Sequence, residues 1–147
     1  MLDRAIGMGL GGALAVVMIV AVFACGPSPV TSARIEGAIA PTFANLVQLQ
    51  VSQLGLPPIS ASDFGVTASC RKPAGGASGA GDWVCALTWF GPQRQTLSNT
   101  YDLLVTTDGC YTATVDREQL GGPILQGIDG SDIRNLLYAF EGCFDTT

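Results

Sequence analysis

A chain of 147 residues with a formal charge of −5 and no histidine has few chemistries open to it. Without histidine there is no Ser-His-Asp or Cys-His nucleophile, no imidazole base and no mixed Cys/His zinc site. Arg71-Lys72 is the only basic pair, so counterion release on nucleic acid has no source and no nucleic-acid partner is expected.

The first element is Ala5–Ala24, AIGMGLGGALAVVMIVAVFA, an uncharged apolar run. Its length matches a hydrocarbon core of about 30 Å and exceeds the ~7–15 residues of a secretory apolar region. The sequence therefore predicts a membrane anchor over residues 1–25, a single transmembrane helix with Arg4 inside and the remainder outside the cytoplasm. Two other fates stay open. Val22-Phe23-Ala24-Cys25 resembles a bacterial lipobox, which makes Cys25 the candidate for lipidation, although Phe23 departs from the usual small or branched residue. A plain signal peptide would be cut after Ala24. Residues 26–31, beginning Gly26-Pro27-Ser28-Pro29, read as a linker to one extracytoplasmic domain over 32–147.

Ser32 is the expected N-cap of a soluble helix carrying Ile35, Ile39, Phe43, Val47, Val51 and Leu54 on one stripe, widened by Leu46. Pro41 falls inside this pattern and predicts a kink, or a turn with a fresh helix start. Gly55 and Pro57-Pro58 end it. The polar side offers Gln48, Gln50 and Gln53 rather than Lys or Arg, so the stripe is expected to pack on a sheet and not on a bilayer.

Strands follow. Phe64–Cys70 places Val66, Ala68 and Cys70 on one side. Arg71–Asp82, RKPAGGASGAGD, reads as a flexible loop, and no Gly-Lys-Ser/Thr makes it a phosphate cradle. Trp83–Phe90 puts Trp83, Cys85, Leu87 and Trp89 on one face and Val84, Ala86 and Phe90 on the other. Such a strand is expected to be central or covered on both faces. Gly91-Pro92 turns the chain into a strand over Thr100–Thr106. Thr107-Asp108-Gly109 turns it again into Cys110–Val115. Asp116–Gly130 reads as irregular, and Asp132–Phe140 as a short helix or an extended docking segment. The predicted class is α+β: one helix on an antiparallel sheet of about four strands, stapled by disulfides.

Cys70, Cys85, Cys110 and Cys143 allow three pairings. The sequential one, Cys70–Cys85 with Cys110–Cys143, is the simplest. No Cys-x-x-Cys is present, so structural bridges in an oxidising compartment are expected rather than a redox or metal centre.

Asp82-Trp83-Val84-Cys85 with Trp89, then Tyr101, Asp108-Gly109-Cys110-Tyr111-Thr112-Ala113 and Phe140-Glu141-Gly142-Cys143-Phe144-Asp145 form a set of pieces spread along the chain. They resemble the signature of an uncharacterised family of small actinobacterial exported, membrane-anchored proteins with paired cysteines. The likeness extends to the N-terminal hydrophobic segment and to Thr42-Phe43-Ala44-Asn45-Leu46. It implies an envelope location and paired cysteines, and it brings no catalytic residue.

The remaining chemistry is thin. A Ser-Lys dyad would need Lys72. Carboxylate pairs could form from Asp102 with Asp108, or Asp116 with Glu118. Asp129-Gly130-Ser131-Asp132 misses the calcium-loop pattern and reads as a turn. No catalytic, cofactor-binding or metal-binding residue is assigned, and no cofactor is expected. The expected function is a non-catalytic, membrane-anchored interaction or accessory subunit of the cell envelope with a membrane-protein partner. The alternative is a small-ligand or lipid-binding envelope lipoprotein. An exposed patch of Trp89, Phe90 and Tyr111 would favour the first, and an enclosed apolar cavity the second.

Overall fold

The apolar stripe that begins at Ile35 sets the long helix, α1, Ser32–Gln53, in the computed structural model, which describes residues 30–115 and 120–146. The N-cap is Thr31, one residue before the expected Ser32. Thr31 is still extended, because it bridges to Ser78, and its Oγ1 accepts from the Arg34 N–H at 3.4 Å. Val30, expected in the linker, is already in the core at 1% exposure. At the other end the Leu56 N–H donates to the Val51 carbonyl and the Gly55 N–H to that of Ser52, with Gly55 left-handed at φ 76. This double bond is the Schellman closure, and it needs glycine at that position.

Pro41 neither ends nor restarts α1. The carbonyl it orphans belongs to Gly37, an exposed residue, so the missing N–H does not leave a buried acceptor. The Thr42 hydroxyl donates to the Ala38 carbonyl at 2.9 Å and supports the same turn.

Among the described residues seven strands follow: β1 Thr67–Arg71, β2 Gly81–Phe90, β3 Thr96–Val105, β4 Cys110–Val115, β5 Ile124–Gln126, β6 Asp132–Arg134 and β7 Ala139–Cys143. The main sheet is antiparallel in the order β1-β2-β3-β4-β7, and β5-β6 is a separate two-stranded ribbon. The architecture is α+β, with α1 packed on one face of the sheet.

Five strands replace the expected four, because the C-terminal segment pairs with β4 instead of docking. Its apolar spacing fits a helix, but Asn135 prevents one. Asn135 is buried, its amide donates to the Leu120 and Gly122 carbonyls, and its Oδ1 accepts from the Leu137 N–H. A side chain that satisfies local backbone in this way holds a turn against a helix. β1 also starts later than expected. Residues Ala61–Phe64 form a 3-10 turn that buries Phe64, and left-handed Gly65 separates it from the strand. β3 starts at Thr96, four residues early, because ten-residue β2 pairs along its whole length, from Phe90 with Thr96 to Gly81 with Val105.

Phe43, fully buried on α1, is the centre of the interior. Its ring meets those of Trp89 at 4.9 Å, Tyr101 at 5.7 Å and Phe140 at 6.1 Å. These contacts, edge-to-face with Trp89 and Tyr101 and tilted with Phe140, fill the space between helix and sheet. Glu36, also on α1, accepts the Cys70 N–H at 2.8 Å and so caps part of the open edge of β1.

Both disulfides join directly opposed residues of neighbouring strands. Cys70–Cys85 links β1 to β2 and Cys110–Cys143 links β4 to β7, with Cα separations of 4.1 and 3.9 Å. The sequential pairing is therefore the one the fold makes.

The glycine-rich loop between β1 and β2 has defined internal contacts. Lys72 Nζ donates to the carbonyls of Gly79 at 3.0 Å and Ala80 at 2.7 Å, and lies 5.4 Å from the Trp83 ring centre. The Trp83 indole N–H donates to the same Gly79 carbonyl at 3.0 Å, and the Gly79 N–H donates to Val30 at 2.8 Å.

Candidate functional site

Alternation along the strands divides the sheet into two unlike faces. The inner one holds Trp83, Cys85, Leu87, Trp89, Tyr101, Leu103, Tyr111 and Ala113, all buried under α1. The outer one is uncovered: β2 is central, flanked by β1 and β3, the first of its two expected arrangements, and its outward Ala86 and Phe90 are exposed. Cross-strand register places outward residues in rows. One row runs Asp82, Leu104, Thr112, Glu141, and the next runs Arg71, Val84, Asp102, Thr114, Ala139. Pro73, Asp82, Val84, Asp102, Leu104, Thr112 and Thr114 border one trough of about 360 Å³ on this face. Leu104 stands in it at 57% exposure, more exposed than Phe90, the other large outward apolar residue of the main sheet.

The aromatic patch considered for partner binding does not assemble. Trp89 is 6% and Tyr111 2% exposed, both on the inner face, while Phe90 points the other way at 41%. Successive strand positions face opposite sides, so Trp89 and Phe90 cannot share a surface. Tyr111 is covered by β7 at Gly142, where an added Cβ would lie 2.6 Å from the phenol oxygen.

The candidate pair Asp102 and Asp108 is likewise dispersed. Asp102 lies on the outer face, whereas Asp108 sits in the β3–β4 turn, bonded to the Thr106 hydroxyl. Four strand residues, about 13 Å, separate Asp102 from Thr106. Hydrogen bonds from Thr106 and neighbouring backbone hold the Asp108 carboxyl below its usual range. Asp116 and Glu118 lie outside the described residues, as do the anchor segment and Cys25. The carboxylate that register does bring beside Asp102 is Asp82, on the diagonal across Val84 and Leu104. Their distance in sequence hid this pair, and only the ten-residue register of β2 with β3 reveals it.

Lys72 has no serine hydroxyl as partner. It bonds carbonyls, including that of Ser78 at 3.5 Å, so no dyad forms. Asp129 accepts from both the N–H and the hydroxyl of Ser131 at 3.0 and 2.6 Å, which is a turn, as expected. Among the described residues no group of three or more metal-ligating side chains converges, and no helix is long and apolar enough to cross a membrane.

Tyr101 donates its phenol to the Leu137 carbonyl at 2.8 Å, and burial pushes its pKa well above the ordinary value. Burial also raises Tyr111. Below about pH 10 folded and unfolded chains both keep these protons. Above it the unfolded chain releases protons that the folded domain holds, so stability falls as pH rises. In an alkaline titration, Tyr101 and Tyr111 should ionise together with loss of near-ultraviolet circular dichroism. Phenolate absorbance from all three tyrosines over an unchanged dichroism signal would contradict this.

No protein-family model, curated protein or solved structure matches the chain.

Proposed function

We propose that this chain is a non-catalytic interaction subunit of the cell envelope, held to the membrane by residues 1–25, with its domain outside the cytoplasm. The observation that carries this reading is the uncovered sheet face around Leu104. The two disulfides support the compartment, since such bridges persist where thiols oxidise. Outward Asp82, Asp102 and Glu141 outnumber Arg71 across the two rows, so the fitting partner surface offers an apolar socket for Leu104 with Lys or Arg around it. The lipid-binding alternative needs an enclosed cavity between helix and sheet, and Phe43, Trp89, Tyr101 and Phe140 fill that space with rings.

The test compares full-length wild type with Leu104→Arg, both purified from native membranes in mild detergent. The variant replaces an exposed side chain, so its melting temperature should match wild type. A membrane protein that recurs with wild type and is at least about tenfold depleted with Leu104→Arg is the expected result. Undiminished recovery of that protein with the variant would place binding elsewhere and overturn the outer-face reading.

A further inference from the structure

The two disulfides share one geometry and differ in surroundings. Cys70–Cys85 lies on the inner face beneath α1, at 7% and 0% exposure. Cys110–Cys143 lies on the outer face, with Cys110 half-buried and Cys143 exposed. It forms one wall of a cleft of about 390 Å³ that also takes in Leu104, Thr112 and Glu141. The bridge also secures β7, the strand at the sheet's edge, whose continuation is held by the Phe144 N–H donating to Gly109 and by Arg34 donating to the Asp145 carbonyl.

We propose that Cys110–Cys143 is a thiol–disulfide exchange site for an extracytoplasmic dithiol protein, and that Cys70–Cys85 is not. Disulfide exchange requires a thiolate to approach along the sulfur–sulfur axis, so access selects the bridge and the sulfur attacked. The partner's thiolate attacks the Sγ of Cys143, the more exposed residue of the two. A mixed disulfide forms there, the bond to Cys110 Sγ breaks, and Cys110 leaves as a thiolate that takes a proton. The partner's second thiol loses a proton and attacks its own sulfur in the mixed disulfide, which releases Cys143 as a thiol. One partner dithiol is oxidised to a disulfide, and one bridge of this chain is reduced to two thiols. Glu141, two residues from Cys143 on the same face, makes the cleft rim acidic. The partner's attacking thiol must therefore be framed by neutral or cationic groups. Exchange leaves β7 hydrogen-bonded to β4 but without its covalent tie.

Full-length protein in detergent, with pre-existing free thiols blocked, is exposed to graded dithiothreitol under native conditions, then alkylated and mapped by peptide mass spectrometry. Cys110 and Cys143 should be labelled at least about tenfold faster than Cys70 and Cys85, with the far-ultraviolet dichroism retained. Labelling of all four at one rate, or of Cys70 and Cys85 first, overturns the proposal. In a second arm, a Cys-x-x-Cys oxidoreductase whose resolving cysteine is changed to serine is incubated with the oxidised chain. A trapped adduct on Cys143 is the expected product. An adduct confined to Cys70 or Cys85, or none while dithiothreitol still reduces the outer bridge, refutes exchange with a protein dithiol.

Discussion

Phe43→Ala should destabilise the domain by about 3–5 kcal/mol, read as a lower urea midpoint at unchanged slope. The side chain is fully buried and touches three other rings, of Trp89, Tyr101 and Phe140. Its removal forfeits transfer free energy and edge contacts worth about 0.5–1.5 kcal/mol each. The space left behind closes poorly, because the surrounding strands are cross-linked at Cys70–Cys85 and Cys110–Cys143. Leu49→Ala is the control on the same helix. Leu49 is exposed, and its truncation should stay within about 0.5 kcal/mol of wild type. A Phe43→Ala loss no larger than that of Leu49→Ala would remove Phe43 from the centre of the core.

Phe43 is also where the sequence was most readable. The stripe from Ile35 to Val51 repeats every four residues, and a helix period of that regularity has one solution, a buried face. The same holds for Trp83, Cys85, Leu87 and Trp89, whose alternation fixed the inner face of β2. The bridges were legible once the strands were, because Cys70 and Cys85 fall opposite each other across a long loop. What stayed hidden depends on contacts remote in the chain. Residues 132–140 carry apolar spacing suited to a helix, and the turn at Asn135 exists only because the Leu120 and Gly122 carbonyls are there to receive its amide. The outer face was hidden for a similar reason. Val84, Ala86 and Phe90 look like residues awaiting cover, and nothing local states that α1 packs on the opposite face. The proximity of Asp82 to Asp102 is a matter of register alone.

Replacing Cys70 and Cys85 together with alanine should be more damaging than replacing Cys110 and Cys143. Loop closure alone argues the reverse. For separations of 15 and 33 residues, the unfolded-chain entropy is worth about 3 and about 3.7 kcal/mol respectively. Burial decides the order. Cys70 and Cys85 are core residues, and two alanines there leave voids costing about 1 kcal/mol each, which exceeds the difference of about 0.7 kcal/mol in loop entropy. The expected losses are therefore about 5 kcal/mol for the inner pair and just under 4 kcal/mol for the outer pair, whose sulfurs lie at the surface. Urea unfolding of the two double variants gives the comparison directly. If the outer pair loses more, the chain-entropy term governs both bridges and packing around the inner one contributes little.

The fastening of Val30 has a mechanical meaning. The backbone enters the domain there, and Gly79 grips it from within a loop whose two flanks are welded by Cys70–Cys85. Lys72 stiffens that loop by bonding successive carbonyls. Tension applied at the entry point is therefore shared between α1, which continues the backbone, and the Gly79 hydrogen bond to the disulfide-closed ring, and β1 cannot be peeled from β2 past that bridge while it is intact.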